Sequence, residues 1–194
     1  SIDFLGFLVK QGASAAGLDQ KGSSALSMAV NSQEESMLST GADSAEQILA
    51  FIAAESAKQT PRLSRGERVL LGLVEKDDAS VRSIVNAGYR FETREEAQIA
   101  LVYAAANRGP EILLTLLDAG AHPNRPEPEP GMLCCMRPTA LIAAARYGRA
   151  ANVRLLLAKG ANPDERFGCC GGGIGPLDVA KDVEIRRILE RARK

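Results

Sequence analysis

Residues 139–164 read TALIAAARYGRAANVRLLLAKGANPD. Thr139 opens the stretch as a helix cap, because its hydroxyl can accept from a backbone N–H near the start of the helix. The small side chains of Ala143, Ala144 and Ala145 let a second helix approach closely. A tight turn follows, then a second helix whose Leu155, Leu156 and Leu157 supply an apolar layer. Gly160 stands where a helix C′ position favours φ > 0. The pattern is helix, turn, helix, glycine-ended cap and extended loop. One such pair cannot bury both of its faces, so it needs neighbours of the same kind.

Those neighbours are present. The stretch NVRLLLAKGANPD (152–164) aligns with ILLTLLDAGAHPN (112–124) on Gly160 and Gly120. ASVRSIVNAGYRF (79–91) aligns on Gly88, FLGFLVKQGAS (4–14) on Gly12, and AEQILAFIAAESA (45–57) puts Glu55 at the glycine position. The markers are spaced 43, 33, 32 and 40 residues apart, a period near 33 with insertions. Ahead of each later marker lies another short apolar helix: 24–30, where Ser24 is the cap, then 67–75, 99–107 and 139–148. PLDVAKD (176–182) begins a last unit.

Composition excludes several function classes. The 194 residues are 45% hydrophobic and 25% charged, with 24 basic residues against 24 acidic ones. Such a chain folds, and it has no global field to draw in nucleic acid or an anionic membrane. Aromatics are 4% and Trp is absent, so a base-stacking platform is not expected. No apolar run reaches the ~18 to 20 residues of a membrane helix. The single histidine, His122, sits in GAHPN, which is turn chemistry. No acid, base and nucleophile converge, so an enzyme is not expected. The pairs Glu34–Glu35, Asp77–Asp78 and Glu95–Glu96 read as solvated helix ends.

The repeating unit resembles the ankyrin-repeat family. Residues 139–164 match its T-P-L-H-x-A start, glycine turn and L-L-L-x-x-G-A-N/D-x-N/D end best, and GSSALSMAV (22–30) and GPLDVAKD (175–182) match its first half. The resemblance implies an all-α solenoid of about five to six helix-turn-helix units with extended finger loops. It is read as one domain over 1–194, with irregular units in 1–92, regular units in 93–174 and a polar capping unit in 175–194. Three departures stand out. The histidine of the motif is Ser27, Ile142 and Asp178 here, so the bonds it makes between units are altered. The second unit carries an insertion around 34–43, and the third lacks the T-P-L start.

In such an array the loops between units form a row of fingers. One is the long segment 125–138, RPEPEPGMLCCMRP; the next, 165–175, holds RFGCCGGGIG. Cys135 lies six residues before Leu141 and Cys170 seven before Leu177, so the two cysteine pairs occupy equivalent places on neighbouring fingers. The glycines lack the Gly-Lys-Ser/Thr of a phosphate loop. Cys134, Cys135, Cys169 and Cys170 are candidates for disulfides in an oxidising compartment or for a four-thiolate zinc site, and are otherwise free thiols. Adjacent cysteines suit zinc poorly, because their sulfurs tend to point apart. The alternating prolines 126–130 make a stiff, extended segment.

The expected function is a non-enzymatic module that binds a partner protein through its fingers and concave face, with no cofactor. A sharper form is a stoichiometric inhibitor or immunity-type protein. The candidate contacts are Glu127, Glu129, Met132, Leu133, Met136 and Arg137 on the long finger, with Arg146 and Tyr147 beside it on the next helix, and Arg166 and Phe167 on the next finger. The rival reading is a thiol-based redox or metal sensor built on the four cysteines. The partner expectation is another protein, with no nucleic acid, no membrane insertion and a monomeric chain; cytoplasmic and exported locations are equally open.

Overall fold

The computed structural model describes residues 24–36, 42–58, 63–124, 138–167 and 173–193. The chain divides into two compact units, Ser1–Tyr89 and Arg90–Lys194. Ten helices and no strand occur among the described residues, an all-α ankyrin-type fold.

The first unit holds α1 (Ala25–Ser36), α2 (Ala42–Lys58), α3 (Arg65–Glu75) and α4 (Asp78–Asn86). α1 packs on α2 and α3, α2 also packs on α3, and α3 pairs with α4. Ser24 Oγ accepts from Ser27 N at 3.2 Å, the expected cap. Two elements run past their sequence-based limits. α1 continues to Ser36, taking up part of the insertion, and α2 continues through Glu55 to Lys58. No glycine stands at position 55 to turn the backbone, so the helix runs on. Where α3 meets α4, a Cβ on Gly72 would lie 2.9 Å from Val81 Cγ2. The glycine therefore sets how closely these two helices pack.

The second unit holds three pairs: α5 (Arg94–Asn107) with α6 (Pro110–Asp118), α7 (Ala140–Arg146) with α8 (Ala150–Ala158), and α9 (Pro176–Val179) with α10 (Val183–Ala192). The first helices stack α5 on α7 on α9, and the second helices stack α6 on α8 on α10. Residues 97–106 of α5 and 140–145 of α7 are all buried, as a helix apolar on every side must be. The second helices bury one stripe each: Ile112, Leu113 and Leu116; Asn152, Val153 and Leu156; Ile185 and Leu189. Of the three consecutive leucines of α8 only Leu156 is fully buried, while Leu155 and Leu157 are half-buried. Neighbours in an α-helix point ~100° apart, so three in a row cannot all face one layer. Burying a leucine completely contributes roughly 1.5 to 3 kcal/mol.

The glycine ends behave as the repeat requires. Gly88, Gly120 and Gly160 have φ of 87°, 98° and 86°. Each lets the chain close α4, α6 or α8 with the same two bonds. In α8, Gly160 N donates to Leu157 O at 3.0 Å and Ala161 N to Leu156 O at 2.9 Å, which satisfies carbonyls the helix leaves open. α3 makes the same stop without a glycine: Lys76 takes φ 62°, a left-handed conformation that costs a side-chain-bearing residue roughly 1 to 2 kcal/mol.

Candidate partner-binding surface

The two fingers of the second unit leave from fixed bases. Before the first, Asn124 N donates to His122 Nδ1 at 3.3 Å, so the histidine serves the turn. The Asn124 amide then reaches into the next repeat. Its Nδ2 donates to Gly160 O at 2.9 Å, and its Oδ1 accepts from Asn162 N at 2.7 Å. After the finger, Pro138 is buried and Thr139 Oγ1 accepts from Ile142 N at 3.3 Å, capping α7. Both flanks of 125–137 are therefore held by the repeat framework.

The second finger is closed at its base by an antiparallel bridge. Phe167 N donates to Ile174 O at 3.0 Å and Ile174 N donates to Phe167 O at 2.6 Å. Arg166 braces it: Nε donates to Gly173 O at 2.6 Å, and Nη2 pairs with Asp178 Oδ2 at 2.8 Å. The same carboxylate oxygen accepts from Gly175 N at 2.8 Å, at the start of α9. Asp178, one of the residues in the motif's histidine place, thus ties finger to helix. Ser27, another, bonds only locally, donating to Ser24 O at 2.9 Å, and Ile142 is buried. A Cβ on Gly173 would come within 3.0 Å of Arg166 Cβ and 3.1 Å of Phe167 O, so this position needs glycine.

The expected contact residues fall into separate places. Arg166 is exposed at the base of the second finger. Phe167 beside it is 4% exposed, so its ring fills the interior and does not face a partner. That is a correction: an aromatic next to a turn gains more from burial than from solvent. Arg146 closes α7 and Tyr147 is its C-cap, whereas the first finger joins α7 at Thr139. The helix rises roughly 10 Å between those ends. Arg146 and Tyr147 therefore lie at the turn end of the repeat, a helix length from Thr139. Glu127, Glu129, Met132, Leu133, Met136, Arg137 and the four cysteines, Cys134, Cys135, Cys169 and Cys170, lie outside the described residues.

Sequence reading missed the side chains that join repeats at the turn end. Asn152, 1% exposed on α8, donates from Nδ2 to Ala105 O and Arg108 O, both at 2.9 Å. Arg149 Nε donates to Ala106 O at 2.8 Å. These groups complete carbonyls that α5 leaves open at its C-terminus. An asparagine among apolar stripe positions was the available signal. The acidic pairs sit at helix ends as expected. Asp77 caps α4, and Ser80, through its hydroxyl and then its backbone N–H, holds the Asp77 carboxyl below the usual range. Among the described residues no group of His, Cys, Asp and Glu is placed to hold a metal ion, and no helix is long and apolar enough to cross a membrane.

Helix pairs of one design, stacked in two rows and joined at their loop bases, define a helical-repeat binding scaffold. Residues 73–167 match the family model of ankyrin repeats in 3 copies, a match that runs across both units. Residues 73–167 of the chain are ankyrin repeats. Its repeats are those of a protein–protein interaction module. No curated protein matches the chain.

Proposed function

We propose that this protein is a non-enzymatic binder whose partner docks on the finger side of the second unit. The long finger is the main element, with Glu127, Glu129, Met132, Leu133, Met136 and Arg137 as its contacts and Arg166 beside them on the next finger. One observation carries the reading. The flanks of the finger are anchored by Asn124 on one side and by buried Pro138 and Thr139 on the other, so the repeat framework is complete without the intervening residues. Those residues combine alternating prolines, two carboxylates and three large apolar side chains. Stiff presentation lowers the entropy lost on binding. In its finer form the reading is a stoichiometric inhibitor or immunity-type protein, with the finger filling an enzyme's cleft.

The test replaces residues 125–137 with an Asn-Gly turn. The melting profile is expected to stay within error of the parent. Affinity for the partner recovered by pull-down, measured by calorimetry, is expected to fall by at least ~2 kcal/mol, the size of a hot-spot loss. Unchanged affinity with an intact fold ends the proposal for the finger.

A further inference from the structure

The end of the second unit opposite Asn124 and Thr139 carries a surface of its own. The α7–α8 turn lies against the C-terminus of α5, because Arg149 and Asn152 donate to carbonyls there. The α9–α10 turn lies next along, because α9 packs on α7 and α10 on α8. One turn region carries Arg146, Tyr147 and Arg149, and the next carries Lys181 and Val183. Tyr147 is 41% exposed and Val183 61%, two of the five large apolar residues left exposed among those described. Between and around them stand the cations Arg146, Arg149 and Lys181, each at the carbonyl end of a first helix or in the turn after it.

Two carboxylates at this end have partners. Glu184 pairs with Arg154, and Asp182 Oδ1 accepts from Glu184 N and Ile185 N at 2.7 and 3.2 Å. Glu111 folds back over its own turn, with Oε2 2.8 Å from where a Gly109 Cβ would sit. Helix C-termini favour nearby cations, and this accounts for Arg149 and for Arg186, whose Nη1 donates to Leu177 O and Ala180 O, both at 3.2 Å. It does not account for an aromatic and an aliphatic side chain exposed among the charges.

We infer that this ridge docks an acidic segment of a partner protein that brings an apolar anchor to Tyr147 and Val183. Charge complementarity selects the acidic segment. The apolar pair, on a chain with balanced overall charge, selects protein over nucleic acid. The surface includes none of residues 125–137, so it survives the finger replacement, and the two proposals fail independently.

The experiment is selection of a phage-displayed random peptide library on the full chain, with counter-selection on the double variant Arg146→Glu, Lys181→Glu. Neither residue caps a carbonyl in the structure, and circular dichroism checks that the variant folds. The neutral pair Arg146→Gln, Lys181→Gln serves if it does not. Selected peptides are expected to be rich in Asp and Glu around an aromatic or aliphatic residue. Their affinity is expected to fall about tenfold or more in the variant and with added salt, and to persist in the finger-replaced chain. Tyr147→Ala with Val183→Ser should weaken them with little change in salt dependence. Selected peptides without acidic enrichment, or peptides binding parent and variant alike, overturn the inference. A single-stranded oligonucleotide that competes them off at lower concentration than free acidic peptide overturns it too, in favour of a polyanion site.

Discussion

The second unit contains two junctions between repeats, and they are built from different chemistry. Between α5–α6 and α7–α8 the links are side chains bound to backbone: Asn152 to Ala105 and Arg108, Arg149 to Ala106, and Asn124 to Gly160 and Asn162. Between α7–α8 and α9–α10 the links are ion pairs on the surface: Arg154 with Glu184, Arg193 with Asp164, and Arg166 with Asp178. Asn124 and Asp164 hold the same place after the glycine turn, yet one is a neutral two-way bridge and the other a carboxylate about half exposed. Hydrogen bonds of neutral amides are little affected by salt, whereas exposed ion pairs are weak and screened. The inner junction is therefore fixed, and the terminal one is held mainly by the apolar contacts of Ile185 and Leu189.

The largest expected effect lies on the helix shared by both junctions. Leu156→Ala should destabilise by ~2 to 5 kcal/mol, because a fully buried leucine leaves a cavity. Leu157→Ala should cost clearly less, since that residue is half-buried. Equal costs in a denaturant titration would mean that the buried stripe of α8 is misplaced. Next, Asn152→Ala should cost ~1 to 3 kcal/mol by leaving the carbonyls of Ala105 and Arg108 without its amide. Its hydrogen-exchange signature should be lost protection at the C-terminus of α5. Exchange unchanged there would remove the amide from the junction.

The smallest effects separate the two chemistries. Asn124→Ala should cost ~1 kcal/mol at any salt concentration. Asp164→Ala should cost ~0.2 to 1 kcal/mol in dilute buffer and close to nothing near ~1 M salt, where the Debye length is about 3 Å. Thermal melts of both variants at two salt concentrations make the comparison. The same salt dependence for both variants would erase the distinction between the junctions.

Much of the fold was legible because it rests on local chemistry. The glycines at 88, 120 and 160, the caps Ser24 and Thr139, and the alternation of small-residue and leucine-rich helices each act within a few residues of themselves. Lys76 shows the limit of that reading, since the same helix stop occurs there with no glycine to announce it. The candidate site was less legible. Phe167 reads in the sequence as a contact on the second finger, yet at the base of that finger the residue is buried. Arg146 and Tyr147 follow Thr139 closely in sequence, yet the length of α7 stands between them and that cap.

What the sequence by itself determined is the repeating unit: its period, its helix pairs and the positions that must be glycine. These follow from backbone conformation and side-chain size, which travel with each residue. What only the tertiary structure decided is which side chains join one repeat to the next. Asn152 finds the open carbonyls of α5, and Asp164 finds Arg193, across separations over which sequence carries no geometric constraint. Stacking supplies that constraint, because it brings each helix end against the repeat before it.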